Sequence, residues 1–184
     1  LSEKGTAVAS PPKRFATGNS LYGLASDGKV LWGVGTEGTI VSLDLKTQKT
    51  HNHEQRIDAQ GQFLPGGDNN ETLFDIEVHG DSIAACGAIR GKGVLYTSKD
   101  GGDTWRRVSL GNACYGLRRF DDGSYALVGS TGKVLFLNAL DGAFDELAIT
   151  LPAAPTKWNI KGVWGSTRSN FYLAGWHGLF LARR

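Results

Sequence analysis

The stretch CYGLRRFDDGSYALVGSTG, residues 114–132, carries the pattern that decides the fold. It opens with a short apolar strand, passes through a polar turn and continues into a second apolar strand that ends in a small residue and a glycine. Three other stretches repeat this pattern: LYGLASDGKVLWGVGTEG (21–38), LFDIEVHGDSIAACGAIRG (73–91) and IKGVWGSTRSNFYLAGWHG (160–178). In chain order, the glycine lies 14, 14, 15 and 15 residues after the start of its stretch. The chain is therefore an internal repeat.

Further strands follow each stretch. The third strands are TIVSLD from Thr39, VLYTSK from Val94, KVLFLN from Lys133 and LFLARR from Leu179. Fourth strands are expected at Trp105–Leu110, at Glu146–Thr150 and within Lys49–Asp58, and residues 55–72 are expected to form a polar loop. Four-stranded units of about 40–45 residues are typical of propeller blades. No segment has a sustained helical period, so we predict an all-β propeller of four four-stranded blades.

A single domain over residues 1–184 is expected, with four blades. The predicted bounds are about 21–58, about 73–110, about 114–150, and about 160–184 plus an N-terminal strand at about 6–10. The last repeat has only three strands, so pairing of the N- and C-terminal strands would close the ring and remove its edges. Two alternatives stay open: the chain is a window from a longer propeller, or two chains join into an eight-blade ring.

The composition excludes several classes of protein. Hydrophobic residues make up 40% and charged residues 21%, which excludes a disordered chain. The net charge of +2 gives no electrostatic case for binding nucleic acid, and no apolar run is long enough for a membrane span.

The first residue is Leu1 and no signal-peptide core follows, so we expect a processed or trimmed N-terminus and leave open an exported, periplasmic or cytoplasmic location. Cys86 and Cys114 are expected to be free buried thiols, although one bridge is compatible with export.

Residues 98–105, SKDGGDTW, match the pattern S-x-D-x-G-x-T-W at every defined position. This motif resembles the Asp-box, or BNR repeat, of sialidases and other propellers. The resemblance implies a structural hairpin between the third and fourth strands of a blade, away from any catalytic centre. Degenerate versions are expected at residues 42–44 and 138–142. The structural residues would be Ser98, Asp100, Gly102, Thr104 and Trp105.

A wider resemblance covers about 160 residues. The strings LWGVGTEGTIVSLD (31–44), YALVGSTGKVLFLN (125–138) and GVWGSTRSNFYLAGWHG (162–178) resemble bacterial and plastid BNR propellers of the photosystem II assembly-factor type. That resemblance implies a non-enzymatic protein that takes part in assembly or binding.

The turns after the second strands are expected to gather on one face of the propeller. The candidate binding residues are Thr36, Glu37, Arg90, Ser130, Thr131, Trp176 and His177. Trp176 is difficult to bury in so tight a turn and is the candidate hot spot, the alternative being that it folds over its own blade. Trp164 and Tyr172 are expected to pack between blades.

No catalytic, metal or cofactor site is expected. The closest match to the Arg-Ile-Pro motif of sialidases, residues 56–58, lacks the proline, and residues 51–54 (HNHE) are interpreted as a solvated polar segment rather than a metal site. We therefore expect a non-catalytic, protein-binding scaffold, assembly or stability factor, monomeric or self-associated into a dimer. Two alternatives stay open: an immunity-type inhibitor of a toxin, and a small propeller that binds glycans or hydrolyses glycosides.

Overall fold

The computed structural model describes residues 17–53, 56–57, 63–64, 70–147, 158–176 and 180–183, and these contain no α-helix. The strands are β1 (Leu21–Ser26), β2 (Val30–Gly35), β3 (Ile40–Asp44), β4 (Thr50–Asn52), β5 (Arg56–Ile57), β6 (Phe63–Leu64), β7 (Glu71–His79), β8 (Ser82–Ile89), β9 (Lys92–Ser98), β10 (Arg106–Leu110), β11 (Cys114–Arg119), β12 (Tyr125–Gly129), β13 (Val134–Leu137), β14 (Phe144–Leu147), β15 (Ile160–Thr167), β16 (Asn170–Gly175) and β17 (Phe180–Arg183). No helix in these ranges is long and apolar enough to cross a membrane.

Four antiparallel sheets of consecutive strands form the body of the molecule. Strands β1–β4 form blade 1, β7–β10 blade 2, β11–β14 blade 3 and β15–β17 blade 4, while β5 and β6 pair separately. The first strands of successive blades, β1, β7, β11 and β15, pack side by side. The fold is a β-propeller of four blades, as predicted, with three strands of the last blade among the described residues.

Buried apolar side chains fill the seams between consecutive blades. The three clusters include Trp32, Val34, Ile76 and Ala85 between blades 1 and 2, Ala84, Cys86, Leu117 and Leu127 between blades 2 and 3, and Ala126, Val128, Phe171 and Leu173 between blades 3 and 4. Burying one large apolar side chain contributes about 1.5–3 kcal/mol to the free energy of folding. The seams, which hold most of the buried apolar side chains, are therefore the main source of stability. The thiols of Cys86 and Cys114 are buried and free, as expected.

The repeated glycine at or near the end of each second strand is required by a close backbone approach. A Cβ atom on Gly35 would lie 1.8 Å from the carbonyl oxygen of Ser20, and one on Gly129 would lie 1.8 Å from that of Ala113. Gly87 and Gly175 make the equivalent approach in the other two blades. The repeated glycine therefore lets the beginning of the first strand and the end of the second lie in contact.

The structure corrects two expectations. The predicted loop at residues 55–72 contains the β5–β6 pair and the beginning of β7. Trp164, which was expected to pack between blades, has 64% of its surface exposed. The predicted N-terminal strand at residues 6–10 lies outside the described residues, and so does its pairing with the C-terminus.

Candidate functional site

The first strand of each blade carries a β-bulge near its beginning. The register of the strand pairing shifts between Leu21 and Gly23 in β1, and at the equivalent position in β7, β11 and β15. A bulge redirects the side chain of the extra residue. The four residues at the bulges are Tyr22, Phe74, Tyr115 and Lys161, and we call them the bulge row.

The side chains of the bulge row contact one another across the blades. The ring centroids of Tyr22 and Phe74 lie 6.0 Å apart, and those of Phe74 and Tyr115 lie 5.3 Å apart with a tilt of 61°. The ammonium nitrogen of Lys161 lies 3.2 Å from the centroid of the Tyr115 ring. The row thus crosses all four blades as a continuous band of three aromatic rings that ends in a cation.

Trp176 extends the band at the lysine end. The Lys161 ammonium lies 5.0 Å from the centroid of the Trp176 ring, which is 53% exposed. Partial burial lowers the pKa of Lys161 below its ordinary value. Among the described residues, no carboxylate forms an ion pair with Lys161, and the residue is exposed.

The turns that were predicted to form a binding surface lie at the same edge of the blades as the bulge row. Antiparallel pairing places the residue before each bulge opposite the repeated glycine of the second strand, as in Leu21 with Gly35 and Leu73 with Gly87. Glu37, Arg90 and Thr131 occupy positive φ in these turns, at 55°, 48° and 64°. Each precedes a glycine of positive φ, which is the pattern of a type I′ hairpin turn.

The predicted binding residues occupy different environments on this face. Glu37 and Arg90 are exposed, and the hydroxyl of Thr36 accepts a hydrogen bond from the Ser20 amide at 3.2 Å. Ser130 is partly buried and its amide donates to the Ala113 carbonyl, while the buried Thr131 hydroxyl has no hydrogen-bond partner in the described part of the chain. Of the seven residues, Trp176 contacts the bulge row, and His177 lies outside the described residues.

A cleft of about 230 Å³ opens beside Ser130, between the end of β10 and strands β12–β14. Apolar residues such as Leu110 and Leu127 line it, and its polar rim includes Lys133 and Glu146, which form an ion pair of 2.9 Å. The cleft is smaller than the roughly 300–1,000 Å³ typical of sites for small molecules. It suits a single side chain of a partner.

Two carboxylates on the inner strand of blade 2 were not singled out from the sequence. Asp75 accepts a hydrogen bond from the Leu117 amide at 2.8 Å, and Glu77 pairs with Arg118 at 3.3 Å. Burial raises the pKa of both carboxyls, against the opposing effect of these partners. Their bonds run from blade 2 to blade 3, which indicates a structural role at the seam. The alternation of apolar and polar residues along the strands does not predict these bonds between blades.

The residues that match the S-x-D-x-G-x-T-W pattern form a hydrogen-bonded network in the turn between β9 and β10. The Ser98 hydroxyl accepts from the Gly102 amide at 2.9 Å, and Asp100 accepts from the Thr104 amide at 2.9 Å. Burial alone would raise the pKa of Asp100, but the hydrogen bonds from Thr104 and Ser98 hold it below the usual range. The Trp105 indole donates to the Gly102 carbonyl at 2.9 Å. Residues 138–142 lie in the equivalent turn of blade 3, between β13 and β14, whereas residues 42–44 form the end of strand β3 and not the turn that follows it.

His53 is buried at this network and is not solvated, contrary to the interpretation of residues 51–54. Its ring lies 4.7 Å from Trp32, and its nitrogens bond to the Ser42 hydroxyl at 2.9 Å and the Gly102 carbonyl at 3.1 Å. His53 therefore joins blade 1 to the β9–β10 turn of blade 2. Within the described ranges, no group of three or more potential ligands could hold a metal ion.

Comparison with known proteins identifies the fold. No protein-family model and no curated protein matches the chain. Among solved structures it is similar to the computationally designed Ika4 protein, with a TM-score of 0.62 and 12% identity over 90% of this chain and 91% of Ika4. Streptogramin B lyase gives a TM-score of 0.55 and 14% identity over 91% of this chain and 56% of the lyase. YCF48 bound to a D1 peptide gives a TM-score of 0.54 and 15% identity over 94% of this chain and 67% of YCF48. The last two are propeller proteins, so the likeness shows a propeller fold.

Proposed function

We propose that this chain is a non-catalytic, BNR-type propeller that binds an extended segment of a partner protein along the bulge row. In this role it would act as a scaffold, assembly or stability factor for a larger complex. The observation that carries the proposal is the continuous band formed by Tyr22, Phe74, Tyr115 and Lys161, with the exposed Trp176 at its end.

The chemistry of the band favours a peptide with apolar and acidic character. Aromatic side chains bury a large area at a low cost in conformational entropy and are enriched among the residues that dominate binding energies. Lys161 supplies a positive charge that an acidic side chain or a C-terminal carboxylate could pair with. The small cleft beside Ser130 could accept one further side chain of the same segment.

The likeness to YCF48 supports a binding role at a coarse level, since that propeller was solved with a D1 peptide.

The non-catalytic part of the proposal is supported by the contacts of Asp75 and Glu77. Both are held by bonds within the fold, to the Leu117 amide and to Arg118, and an acid–base pair for hydrolysis needs carboxyls free to meet a substrate.

Selection from a random peptide library displayed on phage tests the proposal. The immobilised chain is expected to enrich peptides that combine aromatic or apolar residues with Asp, Glu or a free C-terminal carboxylate. The enriched peptides should bind Tyr115→Leu and Lys161→Gln variants at least about tenfold more weakly, as expected for hot-spot residues. They should bind a Lys29→Gln variant normally, because Lys29 is an exposed lysine in the β1–β2 turn at the opposite edge of the blades.

Selected peptides that bind all three variants as tightly as the wild type would contradict the proposal. Failure to enrich any peptide would also count against it, provided that the immobilised chain retains its β-sheet circular dichroism.

A further inference from the structure

The two cysteines of the chain lie at one seam, on strands of different blades. Cys114 is the residue before the bulge of β11 and pairs with the repeated Gly129. Cys86 immediately precedes the repeated glycine of β8, Gly87. Both side chains are buried in the cluster between blades 2 and 3. Because the sequence contains 2 cysteines, this seam brings both of its thiols together.

The other two seams fill the same pair of positions with aliphatic side chains. The residues that correspond to the two cysteines are Val34 with Leu73 between blades 1 and 2, and Val128 with Ile160 between blades 3 and 4. Each of these pairs belongs to one buried cluster. Apolar packing at this point of a seam therefore does not require sulfur, and the seam between blades 2 and 3 differs from the others in its chemistry.

The two thiols are in contact. Burial raises the pKa of the Cys86 thiol well above its ordinary value, and a hydrogen bond with the Cys114 side chain raises it further. The Cys114 thiol also donates to the Gly116 carbonyl, with 3.6 Å between sulfur and oxygen. A disulfide brings two sulfur atoms to about 2 Å, so thiols that already form a hydrogen bond start close to the bonded arrangement.

The cleft beside Ser130 reaches one thiol of the pair. Cys114 is among the residues that line this cleft of about 230 Å³, whereas Cys86 is not among its described lining residues. In agreement, Cys86 is 0% exposed and Cys114 is 3% exposed. A water molecule occupies about 30 Å³ in the liquid, so the cleft has room for a small polar oxidant such as hydrogen peroxide. A reagent that enters from solvent therefore meets Cys114 first.

We propose that Cys86 and Cys114 are a redox pair, which hydrogen peroxide converts to a disulfide that joins blade 2 to blade 3. The peroxide transfers one oxygen to the Cys114 sulfur, which becomes a sulfenic acid, and the rest of the peroxide leaves as water. The Cys86 sulfur then attacks the sulfenic sulfur, the S–O bond breaks, and the departing hydroxyl takes the Cys86 proton and leaves as a second water. The two thiols lose two electrons in total, and these reduce the O–O bond of the peroxide. This inference does not rest on the proposed peptide binding.

Mass spectrometry of the reduced chain after treatment with hydrogen peroxide, below the unfolding temperature, tests the redox pair. The wild-type chain should lose the mass of two hydrogen atoms, and a digest should contain one pair of peptides linked through Cys86 and Cys114. The unfolding temperature should rise by about 5 °C or more, because the bond closes a loop of the unfolded chain. Dithiothreitol should reverse both changes.

Three results would overturn the proposal. The first is a treated chain in which alkylation after denaturation still finds both thiols free. The second is a disulfide between two chains in place of the bond within one chain. The third is an oxidised chain that is no more stable than the reduced one, since a bond that joins the native seam must stabilise it.

Single substitutions test the order of the two steps. Cys86→Val copies the residue at the same position in blade 1, Val34, and Cys114→Ile copies Ile160 of blade 4. In Cys86→Val, peroxide should leave a sulfenic acid on Cys114 that dimedone traps, because no second thiol is present to displace the hydroxyl. In Cys114→Ile, Cys86 should stay reduced. Faster oxidation of Cys86 in Cys114→Ile than of Cys114 in Cys86→Val would contradict the assigned order. Circular dichroism checks that both variants fold, and the wild-type result does not depend on them.

Discussion

The ammonium nitrogen of Lys161 lies 3.2 Å from the centre of the Tyr115 ring, although the two residues belong to different blades. Both residues occupy the bulge of a first strand, where pairing is interrupted and the side chain is redirected. A cation over an aromatic face is stabilised by about 0.5–2 kcal/mol, depending on solvent exposure. In the proposed binding mode, this contact would position the charge before the partner binds and would reduce the entropy lost on binding.

The close approach at the repeated glycine predicts a large loss of stability on substitution. Gly129→Ala would place a Cβ atom 1.8 Å from the Ala113 carbonyl oxygen, so the backbone must move. We expect the free energy of unfolding to fall by about 3 kcal/mol or more, measured by urea denaturation. The matched control is Gly162→Ala, because a Cβ atom on Gly162 meets no atom within 4 Å. Equal effects of the two substitutions would contradict this account of the repeat.

A buried carboxylate in blade 2 depends on one cation. The Tyr96 hydroxyl donates a single hydrogen bond shared between the two carboxylate oxygens of Glu71, each at 3.0 Å, and Glu71 lies 3.7 Å from the Arg107 guanidinium. Arg107→Met would leave this charge unpaired, so we expect a loss of about 2–4 kcal/mol in the free energy of unfolding.

The neighbouring cation gives the control for that experiment. Arg106→Met should cost less than about 1 kcal/mol, because the bond from Arg106 to the Leu140 carbonyl is long, at 3.4 Å, and Asp141, the carboxylate on which it acts, is exposed. The double variant Arg107→Met/Glu71→Gln should recover part of the lost stability, since it removes both charges. A double variant that is less stable than Arg107→Met alone would show that the buried charge is not the cause.

The pH dependence of stability should have opposite signs at Asp75 and Asp100. The pKa of Asp75 is raised in the folded chain, mainly by burial. The contribution of Asp75 to the stability of the fold is therefore fully present below the unfolded pKa and is lost as the pH rises through the folded pKa. Burial acts on Asp100 in the same direction, but the hydrogen bonds from Thr104 and Ser98 together outweigh it and lower the pKa. The contribution of Asp100 is therefore present above the unfolded pKa and is lost as the pH falls through the folded pKa.

Urea unfolding of Asp75→Asn and Asp100→Asn between about pH 3 and about pH 7 measures both effects, since the unperturbed Asp pKa is about 3.9. As the pH rises, the free energy of unfolding of Asp75→Asn should increase relative to that of the wild type. The free energy of unfolding of Asp100→Asn should decrease relative to that of the wild type. Differences that do not change with pH at either site would refute the assigned environments.

The sequence predicts those features that depend on short-range pattern. The repeated glycine and the alternation of apolar residues are local, and they suffice to predict the first three strands of each blade. The bulge row is not predictable in this way, because Tyr22, Phe74, Tyr115 and Lys161 share a backbone position but not a residue type. The burial of His53 also depends on distant partners, namely Trp32 and the Gly102 carbonyl. Similarly, an exposed Trp164 cannot be recognised from a strand pattern that fits a buried residue equally well.

The affinity of the wild-type chain and its Lys161→Gln and Trp176→Ala variants for a selected peptide, measured by isothermal titration calorimetry, tests the central claim most directly. Trp176 is exposed and Lys161 contributes a cation–aromatic contact of at most about 2 kcal/mol, so both variants should remain folded, which thermal unfolding checks. We predict at least about a tenfold loss of affinity for each variant, and for Lys161→Gln a weaker dependence of affinity on salt. Unchanged affinity in both variants, with the fold intact, would contradict binding along the bulge row.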